Sequence, residues 1–260
     1  MDFPSIGFGT YKLRTQEAIN NALAEAFKNN YKMIDTAEIY RNQKFIGVFL
    51  ENHPEIKRDS IWITSKVSFA SMKKSEEETI KGITKTFTDL KTDYVDLYLI
   101  HAPIEERYQF TWNYLRNLQK ERKIRYIGVS NFTVDKLKRF MELIGPEESK
   151  HIFCNQIEYN PFLNRKDLVK LCKENNIHIT AYGSLYKVDP TIENIARQLQ
   201  RSPQQVLLKW ALQKNIRVIP MSEVSQYTKD NITLDFTIND DDMEKMDNLN
   251  ENFSMYAKYL

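Results

Sequence analysis

Short runs of apolar and β-branched residues recur along the chain at 5–9, 31–36, 60–67, 94–101, 126–131, 151–159, 177–183 and 216–222. Runs of this length, bounded by turn residues, read as strands buried on both faces. Between them apolar residues fall at helical spacing, most clearly over 15–29, 75–90, 111–120, 133–143, 164–174 and 203–214. Ser75 precedes Glu76, Glu77 and Glu78, so a capping hydroxyl and carboxylates sit at the positive end of one helix. Ser202 then Pro203 reads as an N-cap followed by a first helical residue. Asp240, Asp241 and Asp242 read as the start of a last helix. Strand and helix therefore alternate at roughly 30-residue spacing, the pattern of a (β/α)8 TIM barrel. A doubly wound open sheet is the competing architecture, but it carries a Gly-rich phosphate turn after its first strand. Here that stretch is GFGTYKL (7–13), without the third glycine. The expectation is a single-domain α/β barrel over 1–260.

Composition narrows the partners. Lys plus Arg number 37 against 35 acids, a net charge of +2, and 42% of residues are hydrophobic. That balance supports a sizeable core and makes no case for nucleic acid or an anionic membrane surface. No apolar run approaches the roughly 18 residues of a membrane helix, and the opening MDFPSIGFGT lacks a signal-peptide pattern. Cys154 and Cys172 lie in apolar stretches and read as buried thiols rather than a disulfide. A soluble, cytoplasmic protein, monomeric or loosely dimeric, is expected.

The chemistry concentrates in Asp35, Tyr40, Lys66 and His101. Asp35, Lys66 and His101 end or follow apolar runs, and Tyr40 comes five residues after Asp35. In a parallel barrel these positions meet at the carboxyl-terminal mouth, where chemistry is done. A tyrosine with pKa near 10 is a weak acid at neutral pH. A nearby ammonium lowers that value, an aspartate fixes the ammonium, and a histidine can hold a carbonyl oxygen. Together they describe a proton donor to a carbonyl. Taken singly, a buried Asp–Lys pair or a strand-end histidine is more often structural.

GFGTYKL (7–13), DTAEIYRNQKFIG (35–47), ITSKV (63–67), DLYLIHAP (96–103), IGVSNF (127–132), NQIEYNPF (155–162) and SPQQVLLKWALQKNIRVIP (202–220) occur in an order, and over a span, that resembles the aldo-keto reductase family. The resemblance implies reversible hydride transfer between a nicotinamide cofactor, NAD(P)H, and an aldehyde, ketone or alcohol. It implies Tyr40 as general acid, Lys66 and Asp35 as its tuning pair, and His101 as the residue orienting the carbonyl. It places Ser130, Asn131 and Gln156 on the carboxamide and Tyr182 against the ring, and it implies no metal. At the adenosine end Ser222 and Asn231 match, but the expected lysine is Met221 and the expected arginine is Tyr227. Loss of two cations that grip a 2′-phosphate, with Glu223 beside them, favours NAD(H) over NADP(H) or weak use of both, unless Lys229 or Arg197 reaches the phosphate.

The substrate side departs as well. Ala102 stands where the family often has the tryptophan of HWP, Ser68 where it often has another, and Tyr11 where GTW is common. With His101 these positions describe a wider, less apolar pocket, unless Phe69, Tyr108 or Phe110 refills it. The connection 183–190 and the tail 251–260 are short, which predicts an open mouth. Two other functions compete. A nicotinamide-sensing or regulatory barrel has no use for a tuned tyrosine, and a phosphosugar isomerase needs a backbone phosphate site that AYGSL and IPMSE do not supply.

Overall fold

The computed structural model describes residues 2–256. Its strands form one parallel sheet in chain order: β1 Phe8–Gly9, β2 Met33–Asp35, β3 Trp62–Val67, β4 Val95–Ile100, β5 Ile124–Ser130, β6 Ile152–Glu158, β7 His178–Tyr182 and β8 Arg217–Val218. The sheet closes where Ile6 bridges Val218 and the Gly7 and Gly9 amides donate to the Val218 and Pro220 carbonyls at 2.8 and 3.1 Å. The result is the (β/α)8 barrel expected from the pattern. The regular parts of β1 and β8 are shorter than their apolar runs, and Pro220, lacking an N–H, helps to end the ladder.

The helices are α1 Gln16–Lys28, α2 Gln43–Asn52, α3 Phe69–Lys74, α4 Glu76–Leu90, α5 Tyr108–Lys120, α6 Val134–Ile144, α7 Pro146–Ser149, α8 Lys166–Glu174, α9 Pro190–Leu199, α10 Pro203–Gln213, α11 Ser225–Asp230 and α12 Asp240–Asp247. The Ser75 hydroxyl accepts from the Glu78 amide, and Ser202 with Gln205 forms a reciprocal capping box on α10. Periodicity did not isolate α2, whose Gly47, Phe45 and Phe49 are weak helix formers. Tertiary packing overrides that weakness, because a Cβ on Gly47 would lie 2.1 Å from the Asp89 carbonyl of α4. The helix α3, of 6 residues, is too short to show a period.

Two cores hold the layers. The larger lies between strands and helices and includes Ile34, Ile63, Val129, Trp112 and Trp210. The smaller is made of the strand residues Met33, Trp62, Leu97, Leu99 and Cys154 and fills the barrel. Phe3 stacks on Trp62 at 4.6 Å and plugs its amino-terminal end. Cys154 and Cys172 are buried and free, and burial pushes both thiols up to about 12. With the lower end plugged, the polar strand ends face a cavity at the other.

Candidate active site

Lys66 is fully buried in β3, and its ammonium donates to Asp35 Oδ1 at 2.6 Å, to the Thr36 carbonyl at 2.9 Å and to Tyr40 Oη at 3.3 Å. The other carboxylate oxygen of Asp35 accepts from Gln156 Nε2 at 2.7 Å. Tyr40 ends a 3-10 turn, Glu38–Tyr40, which Arg41 leaves in the left-handed region at φ 59°. Asn42, buried behind the turn, accepts from Thr36 and donates to the Thr10 and Leu13 carbonyls. These bonds tie the tyrosine turn to the loop after β1. The His101 ring stands edge-on to Tyr40 at 5.9 Å.

The electrostatics correct one expectation. The Tyr40 phenol is raised well above its usual range, by burial first and by the Asp35 carboxylate second. The ammonium was expected to lower it, but Asp35 lies closer to that ammonium than the phenol does and offsets its field. Burial lowers Lys66, with Asp35 acting in the opposite direction. His101 is depressed to about 3 by burial and then by Lys66, so its imidazole is neutral at physiological pH. Its Nδ1 is buried without a hydrogen-bond partner among the described residues. The resting site therefore holds a protonated phenol and a neutral imidazole beside a compensated ammonium.

Tyr40 and His101 open on a cavity of about 700 Å³, which Tyr11, Ala102, Ser130, Asn131, Gln156, Tyr182 and Met221 also line. The donor set there fits a nicotinamide carboxamide. Gln156 spends its N–H on Asp35, leaving Oε1 without a partner among the described residues. Asn131, at φ 67°, spends its N–H on the His101 carbonyl and accepts from the Tyr182 hydroxyl at 2.7 Å. Ser130 donates to the Gln156 carbonyl at 2.9 Å. Acceptor oxygens thus remain for an amide NH₂, and Tyr182 supplies an aromatic face beside them.

Other predicted residues lie elsewhere. Ser68 does not line the cavity; its hydroxyl caps α3, accepting from the Ala70 amide at 3.0 Å. The next residue, Phe69, faces the cavity in its stead, whereas Tyr108 is buried against Phe132 and Phe140. The predicted loss of apolar wall is corrected further by Leu185, Tyr186, Met255 and Tyr256, because the short loop and tail still reach the mouth. Ser222 and Glu223 line a separate cleft of about 370 Å³ between α1 and α11. Asn231 is buried, and Tyr227 is 61% exposed. Sequence reasoning missed Glu38, Asn42 and Glu158. Each lies inside a quoted motif, but its role depends on a partner distant in the chain or held by backbone.

The model of the Aldo/keto reductase family matches residues 5–187 and 184–251. A glyoxal reductase of Bacillus subtilis (strain 168) is 35% identical over 256 residues, covering 96% of this chain and 90% of that protein. The methylglyoxal reductase DkgB of Yersinia pestis is 36% identical over 229 residues, covering 85% and 83%. Among solved structures, an aldo/keto reductase from Brucella melitensis superposes with a TM-score of 0.88 at 32% identity, covering 95% of each chain. An aldo-keto reductase enzyme from a Medee basin deep-sea metagenome library gives 0.89 at 28% identity, covering 99% and 95%. This chain belongs to the aldo/keto reductase family. Its chemistry is nicotinamide-dependent carbonyl reduction.

Proposed function

We propose that the chain reduces small aldehydes and ketones, 1,2-dicarbonyls of the glyoxal type among them, with Tyr40 as proton donor. The observation that carries this reading is the buried chain from Gln156 through Asp35 and Lys66 to the Tyr40 hydroxyl at the cavity wall. The similarity to glyoxal and methylglyoxal reductases supports the substrate class. Ser130, Asn131, Gln156 and Tyr182 would hold the nicotinamide, which when bound supplies the hydride. His101, kept neutral, contributes an uncharged contact to the carbonyl oxygen and sets its approach to Tyr40. As charge gathers on that oxygen, Tyr40 Oη transfers its proton. The phenolate left behind lies against the Lys66 ammonium, which Asp35 and the Thr36 carbonyl hold in place. In the oxidative direction the same phenolate takes the proton back. A purely cofactor-sensing role gives no account of this buried ammonium. The test is Tyr40→Phe, followed by stopped-flow oxidation of NADH and NADPH with methylglyoxal and a panel of aldehydes. Turnover should fall at least about 100-fold while cofactor affinity, read by protein fluorescence, stays level. Equal turnover in both proteins refutes the assignment.

The finer reading is a preference for NAD(H). Met221 and Tyr227 offer no charge to a 2′-phosphate, and Glu223 repels one. Lys28, which shares the cleft with Glu223, pairs with Glu25 at 3.6 Å. The exposed Tyr227 ring offers adenine a stacking surface. In fluorescence titrations NADH should bind tighter than NADPH, and Met221→Lys with Tyr227→Arg should improve NADPH affinity by about tenfold or more. Tighter NADPH binding in the wild type overturns the preference.

A further inference from the structure

β6 ends in two residues that share one face of the strand, Gln156 and Glu158, because side chains alternate along a strand. Gln156 is accounted for by Asp35. Glu158 is fully buried, and the carbonyl-reduction scheme does not use it. A buried carboxylate is costly unless donors satisfy it. The donors present come from the far end of the chain: the Ser254 hydroxyl bonds Oε2, and the Met255 amide donates to Oε1 at 2.9 Å. The guanidinium of Arg165 is spent instead on the Glu158 backbone carbonyl, to which its Nε donates at 2.9 Å. Gly183 makes room for this carboxylate. It takes φ +65°, and a Cβ there would approach Glu158 Cγ at 3.3 Å.

The segment held in this way forms cavity wall. Met255 and Tyr256 line it, and the Tyr256 ring meets the Tyr182 ring at 5.4 Å and 75°. A second clasp lies outside, with Lys187 on Glu251 at 2.6 Å and Tyr186 stacked on Phe253 at 5.7 Å. That ion pair is about half exposed, and such pairs contribute little. The internal fastening is Glu158, and releasing the tail would leave its carboxylate without those donors.

We propose that Glu158 is a positioning residue for substrate selection: through Ser254 and Met255 it holds the C-terminal segment as a wall of the cavity. The selectivity part rests on reading the cavity as a carbonyl-reducing site. A bulky aromatic aldehyde uses the wall contributed by Met255 and Tyr256, whereas methylglyoxal, far smaller, is held by the inner site. The experiment compares the full chain, Glu158→Ala, Glu158→Gln, Ser254→Ala, a chain ending at Asn252 and that truncation combined with Glu158→Ala. Amide hydrogen exchange at Met255 should accelerate at least about tenfold in Glu158→Ala, as for an amide losing a charge-assisted hydrogen bond. Glu158→Gln, which keeps an acceptor oxygen, should stay within about threefold of wild type. The ratio of kcat/KM for 4-nitrobenzaldehyde to that for methylglyoxal should fall about tenfold in Glu158→Ala, chiefly through KM, and equally in the truncation. Adding Glu158→Ala to the truncation should change the ratio no further. Unchanged Met255 exchange overturns the proposal, as does an equal effect of Glu158→Ala with and without the tail. Exchange is read without substrate, so the latch stands or falls separately from carbonyl reduction, which the Tyr40→Phe comparison decides.

Discussion

Lys66 and His101 show how one buried ammonium governs its neighbours. Its field adds to burial in depressing His101, and the cost of that depression is sensitivity to acid. His101 titrates at about 3 in the fold against an ordinary value of 6.5. Between those values the unfolded chain binds a proton that the folded chain refuses, so stability is complete above about 6.5 and drains as pH falls toward 3. His101→Gln should flatten the decline in urea-unfolding free energy between pH 6.5 and 4. An undiminished decline would assign the acid sensitivity to other groups. Lys66→Met should abolish turnover and, by leaving Asp35 buried with Gln156 alone, lower stability by about 3–5 kcal/mol; chemical denaturation measures it. Asp35, Lys66 and His101 were legible because polar groups at the ends of apolar runs stand out, and Tyr40 because it follows Asp35 by five residues. The sign of the Tyr40 shift was not, because its largest cause, burial of the phenol, and the Asp35 carboxylate beside it are both set by the tertiary structure.

Among the elements, α3 presents one wall of the cavity and is held in place by the Glu38 carboxylate. The Glu38 carboxylate accepts from the Ser68 amide at 2.8 Å and from the Ser71 hydroxyl at 2.5 Å, fixing the helix that presents Phe69 to the cavity. A methyl group on Gly82 of α4 would lie 2.6 Å from that carboxylate, so α4 packs against the same contact. Glu38→Ala should raise KM for aromatic aldehydes about five- to tenfold, and kcat for methylglyoxal should hold within about twofold. Steady-state kinetics with both substrates checks it; a drop confined to kcat would place Glu38 in the chemistry instead. Ser68 had read as a pocket residue because it stands where the family often has a tryptophan. Capping claimed its side chain and turned the wall over to Phe69, a shift of one residue that decides which side chain lines the cavity.

Across the whole molecule the two ends of the barrel divide stability from chemistry. Near the amino-terminal end Asp96, fully buried in β4, binds Arg58 at 2.8 Å, Arg125 at 2.9 Å and the Ile63 amide at 2.9 Å. Removing its carboxylate leaves the Ile63 amide without that acceptor and takes an ion-pair partner from Arg125 and from Arg58, which keeps its bonds to Thr92 and to the Ile61 and Tyr94 carbonyls. Asp96→Ala should therefore cost about 1–3 kcal/mol of unfolding free energy, with kcat at 25 °C nearly unchanged in the folded fraction. A selective loss of kcat would show that the floor and the mouth are coupled. Short loops at the mouth predicted an open site. The tail and the loop after β7 instead meet across it, clasped by Lys187–Glu251 and Tyr186–Phe253.

By itself the sequence determined the alternation of strand and helix, the caps on α4 and α10, and the ionisable groups at strand ends. These are local or periodic signals, written in neighbouring residues. Tertiary structure decided how those groups share charge. It set Gln156 on Asp35 across 121 positions and Glu158 on Ser254 across 96. It also packed α2 through Gly47 against a carbonyl of α4. Such contacts depend on barrel closure, which brings distant residues within hydrogen-bonding distance and removes the water that would otherwise screen them.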